Sequence, residues 1–110
     1  VTREQGKNGR ILSLLEASSV VAHEVPLVEA VPGPDRSAFP AALREAAFDW
    51  VVVSSPEGAA ILKEAWEEAG QPEIPVASLG KGTTRALGGA EGLQPQFEPS
   101  VANAEHMVQE

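Results

Sequence analysis

Three short stretches of this 110-residue chain place turn formers and helix starters directly after apolar runs: Val53-Ser54-Ser55-Pro56, Leu79-Gly80-Lys81-Gly82-Thr83-Thr84 and Phe97-Glu98-Pro99-Ser100. If each apolar run is a parallel strand, each turn leaves a carboxyl end and enters a helix, so all three open along one sheet edge. The unpaired N–H groups and positive dipole end of a helix start attract carboxylates or phosphates. Lys81 and Arg85 add cations near the same edge. Every βα unit also needs a capped helix start, so Ser54, Ser55, Pro56, Gly80, Gly82, Thr83, Thr84 and Ser100 read singly as punctuation and only together as a ligand site. The run Gly80-Lys81-Gly82-Thr83-Thr84 lacks the spacer and the Gly-Lys-Thr of a Walker A loop, which sets nucleotide chemistry aside.

Other chemistries find little support. His23 and His106 are the only groups with ordinary pKa values near neutrality, and neither stands in a triad spacing, so both read as surface or packing residues. Glu64, Glu67 and Glu68 read as the solvated face of a helix, and no carboxylate spacing suggests a metal. With no cysteine, thiolate ligands, disulfides and a cysteine nucleophile are excluded. The formal charge of −8 argues against general nucleic-acid binding, which needs a positive surface. No run approaches the ~20 apolar residues of a membrane span. A start without methionine or a signal-peptide pattern points to a cut or processed terminus.

The elements that must hold these turns alternate between strand and helix. Phe48 to Val53 is a strand whose Trp50, Val51, Val52 and Val53 show no polar alternation, the pattern of a strand covered on both faces. Trp50 and Trp66 are therefore core candidates. Ser55 caps a helix with Pro56 at its first position, and Gly70 stops it. Earlier, Asn8 or Gly9 opens a helix with an apolar stripe through Ile11, Leu12, Leu14, Leu15 and Ala17, and Val20 to Val28 is a strand. Pro32, Gly33 and Pro34 mark a linker, and Ser37 caps a short helix from Ala38 to Ala46. Later, Ile74 to Leu79 is a strand, Lys81 to Leu87 a helix broken by Gly88 and Gly89, Gln94 to Phe97 a weak strand, and Ser100 or Asn103 caps a last helix. The order calls for parallel sheets with right-handed crossovers and flanking helices.

Five motifs in this order carry a family resemblance: Val1-Thr2-Arg3, the first helix, Val25-Pro26-Leu27-Val28-Glu29, Asp49-Trp50-Val51-Val52-Val53-Ser54-Ser55-Pro56, and Leu79-Gly80-Lys81-Gly82-Thr83-Thr84. Together they resemble the uroporphyrinogen-III synthase family across the whole chain, although each motif alone is short. The resemblance implies two flavodoxin-like α/β domains, the first built from both ends of the full chain. On that pattern residues 1–29 are a strand–helix–strand portion of the first domain, 30–36 a linker, and 37–110 part of the second. The chain would then be an N-terminal fragment.

The implied activity is cyclisation of hydroxymethylbilane to uroporphyrinogen III, with inversion of the last pyrrole and loss of water. No cofactor and no metal are expected, and the protein would act as a monomer. The substrate is fringed with carboxylates, so an acidic protein must gather its cations and backbone donors in one place. Thr2 and Arg3 match the opening motif on the cleft side of the first domain. Arg3 offers a rigid fork and Lys7 a mobile charge, though Arg3 could equally pair with Glu4 or Asp35. The tyrosine implicated in the family lies beyond the matching part, and this chain has none, so catalytic groups stay unassigned. Residues 3–9 are most similar to plant and cyanobacterial members, implying a plastid stroma or bacterial cytoplasm and no secretion. The alternative is a non-catalytic α/β module binding a small anion or a partner protein.

Overall fold

The computed structural model describes residues 1–45 and 47–110, which form two compact units, Val1–Pro34 and Asp35–Glu110.

The first unit is a single helix, α1 (Gly9–Ala17), between two irregular arms. Asn8 is its N-cap residue, and the helix starts where the apolar spacing places it. The expected strand over Val20–Val28 does not form. Among the described residues the main-chain bonds between the arms are Val25 N–H to the Val1 carbonyl (2.8 Å), Leu27 N–H to that of Thr2 (3.2 Å) and the Val1 amino group to the His23 carbonyl (2.9 Å). With Pro26 unable to donate, these bonds do not extend into a ladder. Val21, Val25, Leu27 and Val28 stay exposed.

The second unit is α/β. A 3₁₀ turn (Arg36–Ala38) leads into α2 (Phe39–Glu45), then come β1 (Val51–Val53), α3 (Pro56–Glu68), β2 (Val76–Ser78), α4 (Lys81–Leu87) and α5 (Ala104–Gln109). Ser37 does not cap a helix: Asp35 occupies the N-cap of the 3₁₀ turn and Ser37 lies within it. The expected last residue of that helix, Ala46, lies outside the described residues. β1 and β2 pair in parallel, Val51 with Val76, Val52 with Ala77 and Val53 with Ser78. The expected strand at Gln94–Phe97 contributes one parallel bridge, Ala77 to Phe97, with Gln96 N–H on the Val76 carbonyl at 2.8 Å.

α3 has the ends its sequence dictates. Ser55 caps it by accepting the Gly58 N–H at 3.0 Å, and Pro56 stands first. At the other end Gly70 adopts φ +85°, Gly70 N–H reaches the Glu67 carbonyl and Gln71 N–H that of Trp66, the two bonds of a Schellman stop.

The core lies on one face of the sheet. Val53 and Val76 meet Ala59, Leu62, Ala65 and Trp66 of α3, Leu43 of α2, Leu87 of α4 and the following Leu93. Trp66 is buried, with its indole N–H on the Pro72 carbonyl at 2.7 Å. Trp50 is not: it precedes β1 and is 50% exposed, and Val52 is 57% exposed. The expectation of a strand covered on both faces therefore fails here. Both βα crossovers advance the sheet in one direction, and right-handed connections then set α3 and α4 on one side. Trp50, Val52, Ala77 and Phe97 line the other, a shallow groove of about 370 Å³ shared with Met107 and Val108 of α5.

Candidate functional site

The turns after β1 and β2 leave the carboxyl ends of paired parallel strands, where a sheet's helix starts converge. They are close neighbours: a methyl built on Gly82 would lie 3.9 Å from Pro56 Cγ. A hollow of about 270 Å³ is lined by Val53, Ser54, Ser55 and Gly58 together with Phe39, Ile61 and Leu62.

Each turn has used part of its donor set. Ser54 is exposed, Ser55 half-buried with its hydroxyl on Gly58, and Pro56 has no N–H to give. Of the first-turn donors of α3, that of Glu57 remains outside the helix ladder. The α4 turn is sharper. Gly80 takes φ +100°, and a Cβ there would meet Ala102 Cβ at 3.1 Å, so this position requires glycine. Its carbonyl receives Thr83 N–H at 3.0 Å and Thr84 N–H at 3.1 Å, which leaves the Lys81 and Gly82 amides outside the ladder. Lys81 and Gly82 are exposed.

The threonine side chains turn inward. Thr83 is 3% exposed and its hydroxyl donates to the Leu79 carbonyl at 3.4 Å. Thr84 donates to the Glu98 carboxylate, and Ser78, fully buried, sits 2.5 Å from the same hydroxyl. Thr84 has one proton, so with Glu98 ionised the order is fixed: Ser78 donates to Thr84, and Thr84 to Glu98. Sequence reading did not single out Glu98. Its signal was a lone carboxylate at the end of the third apolar run, facing the hydroxyl-rich second turn.

Ser100 is not a helix cap. Asn103 caps α5, its side-chain oxygen accepting the His106 N–H at 2.9 Å. Ser100 instead seats a carboxylate: its N–H donates to one Glu110 oxygen at 2.8 Å and its hydroxyl to the other. The Ser100 hydroxyl, and then its N–H, hold the Glu110 carboxyl below its ordinary value. The third turn thus binds an acid from its own chain.

Thr2, Arg3 and Lys7 belong to the first unit, and all are exposed. Within the first unit Arg3 does not pair with Glu4; its guanidinium donates to the Lys7 carbonyl at 3.0 Å. Lys7 N–H in turn reaches the Glu4 carbonyl at 3.0 Å. Among the described residues the ion pairs are those of Arg36 with Glu64 (3.3 Å) and Glu68 (3.0 Å). Glu68 first, then Glu64, raise the Arg36 pKa. Two of the three acids read as merely solvated thus tie α3 to the 3₁₀ turn.

The remaining features offer no competing centre. A hollow of about 570 Å³ is lined by Leu12, Glu16 and Ser19 to Ala22 and contains none of the expected site residues. His23 is exposed, and His106 places its ring Nδ1 2.9 Å from the capping oxygen of Asn103. Among the described residues no group of three histidine or acidic side chains is arranged to hold a metal, and no helix is long and apolar enough to cross a membrane.

Comparison with known proteins adds the following. Residues 9–110 match the family model described as uroporphyrinogen-III synthase HemD. The chain is also 38% identical to a protein of Oryza sativa subsp. japonica named "Uroporphyrinogen-III synthase, chloroplastic", in an alignment covering all of this chain and 38% of that relative. The chain thus spans about two fifths of the length of the curated relative it matches. No solved structure matches.

Proposed function

The chain belongs to the uroporphyrinogen-III synthase family, and from that premise we propose that it is part of a two-domain enzyme converting hydroxymethylbilane to uroporphyrinogen III with loss of water. The observation that most supports this, beyond family membership, is the pair of adjacent βα turns at the carboxyl edge of β1 and β2. The substrate is a flexible chain of four pyrroles, and its cyclisation needs the ends held together and the carboxylates anchored. Such work is done by positioning and by fixed dipoles rather than by a protein nucleophile. A chain without cysteine suits that chemistry.

In this reading residues 1–29 belong to a first flavodoxin-like domain, 30–36 to a linker and 37–110 to a second such domain. In the first unit the residues that receive substrate carboxylates are Thr2, Arg3 and Lys7. In the second they are the turns of Ser54, Ser55 and Pro56, of Gly80, Lys81, Gly82, Thr83 and Thr84, and of Ser100. Thr83 and Thr84 act by shaping the turn, since their hydroxyls are engaged internally, and backbone donors carry the contact. Ser100 serves once Glu110 is displaced. The protein is a monomer that needs neither cofactor nor nucleic acid, and by analogy with its rice relative it works in the plastid stroma.

Arg3→Ala and Lys81→Ala in the full-length protein test the assignment. Each removes one charge-assisted carboxylate contact, worth about 1.5–3 kcal/mol, and should lower kcat/KM accordingly without unfolding the protein. Unchanged kinetics in the double variant would return both residues to the solvated surface.

A further inference from the structure

The loop that carries Arg3 and Lys7 is closed around one buried side chain. Asn8 is 1% exposed and stands at the N-cap of α1, yet its side chain makes no capping bond. Its amide nitrogen instead donates backward, to the Arg3 carbonyl at 3.1 Å and, more weakly, to the Glu4 carbonyl at 3.4 Å. Exchanging the amide's nitrogen and oxygen would set the oxygen against both carbonyls, so this orientation is the one with partners. Asn8 Oδ1 is left buried without a partner, the one such side-chain atom among the described residues. An N-cap asparagine ordinarily gives its oxygen to the first helical turn. Here both available hydrogen bonds go to the loop, at the expense of the cap and of an unmet acceptor.

The same loop is tied from its other side. Lys7 N–H closes a turn on the Glu4 carbonyl at 3.0 Å, Arg3 reaches back to the Lys7 carbonyl at 3.0 Å, and Gly6 N–H rests on Glu24 at 3.1 Å. Glu4 receives the Ala30 N–H at 3.2 Å. The two cations are exposed and held at one end of a short closed loop whose inner anchor is Asn8.

We infer that Asn8 is a positioning residue for substrate binding: through its amide it sets the Arg3–Lys7 loop and so the spacing of the two cations that receive substrate carboxylates. The inference rests on the proposed roles of Arg3 and Lys7. Asn8 touches no substrate. Its loss is felt in KM, because two charges on a loosened loop must be ordered by the substrate itself.

The test uses the full-length protein with Asn8→Asp, which keeps the size but loses both donors, and Asn8→Ala as a second variant without added charge. Hydrogen exchange of residues 3–8 and of residues 12–17 is read alongside KM and kcat for hydroxymethylbilane, in the wild-type and in an Arg3→Ala/Lys7→Ala background. Exchange should quicken in residues 3–8 and stay unchanged in 12–17. KM should rise about five- to tenfold, the effect of losing preorganisation at a charge-assisted contact, with kcat within about twofold. In the Arg3→Ala/Lys7→Ala background the Asn8 change should add nothing further to KM. Unchanged exchange in residues 3–8, or an equal rise in KM in both backgrounds, would overturn the inference alone. If Arg3→Ala/Lys7→Ala itself leaves KM unmoved, the substrate role of those cations falls and the positioning role falls with it.

Discussion

The Ser78–Thr84–Glu98 chain makes an asymmetric prediction about stability. Thr84→Val keeps the shape of the side chain but removes the one hydroxyl that both accepts from Ser78 and donates to Glu98. Two losses follow: the charge-assisted bond to Glu98, worth about 1.5–3 kcal/mol, and a Ser78 hydroxyl left unmet where it is fully buried, about 1–3 kcal/mol. In a Ser78→Ala background the second loss vanishes, because no buried donor remains. Thr84→Val should therefore cost about 1–3 kcal/mol less there than in the wild-type sequence, a coupling within the range of a double-mutant cycle. Urea unfolding of the 110-residue chain provides the assay. Trp66, buried in the core of the same unit, reports it through its fluorescence. Equal costs in the two backgrounds would refute the reasoning and mean that Ser78 finds another partner or that Thr84 does not bridge it to Glu98.

Gly70→Ala should destabilise by roughly 1–2 kcal/mol, the cost of forcing a side chain into the left-handed region. Nothing lies within 4 Å of the added methyl at φ +85°, so packing contributes nothing to that figure, which thermal unfolding would read. Asn103→Ala should fray α5 at a cost of about 1 kcal/mol, whereas Ser100→Ala should leave that helix start intact; amide exchange at His106 separates the two. The Glu110 carboxyl is depressed below 4.5 by Ser100, so its contribution is complete above pH 4.5 and is lost as pH falls through the lower folded-state value. Acid titration should accordingly release the Ser100 amide at a pH below that of an unperturbed glutamate, and release at the ordinary value would contradict the contact. Iodide should quench Trp50 and spare Trp66, as their exposures of 50% and 3% require.

Local chemistry was legible in the sequence wherever a residue type has one dominant conformational role. Ser55-Pro56 opened α3 and Gly70 closed it as caps must, and Lys81–Leu87 formed a helix with its expected bounds. The α1 stripe was equally plain. What failed was decided by a partner, although the parallel pairing of β1 with β2 formed as expected. The apolar run at Trp50–Val53 says that burial is available, not that both faces receive it, and here Val52 and Trp50 face a groove rather than a second helix layer. Val20–Val28 has strand composition, but composition supplies no neighbour to complete a ladder. Asn8 does stand at the start of α1, but it and Ser100 share a feature the sequence hides. Each is a residue that caps helices, and each spends its side-chain hydrogen bonds elsewhere, on the Arg3 carbonyl in one case and the Glu110 carboxylate in the other. Periodicity carries no information about such long-range choices, and Glu98 was missed for the same reason.

The most direct measurement supplies hydroxymethylbilane to the full-length protein and to residues 1–110 alone, and separates the two ring isomers of the product. Spontaneous closure yields the type I isomer, so the type III isomer reports the enzyme. The full-length protein should give type III product, and residues 1–110 should give none above the uncatalysed background. Type I product alone from the full-length protein would contradict the synthase assignment, and robust type III product from residues 1–110 would contradict the proposal that they are part of a two-domain enzyme.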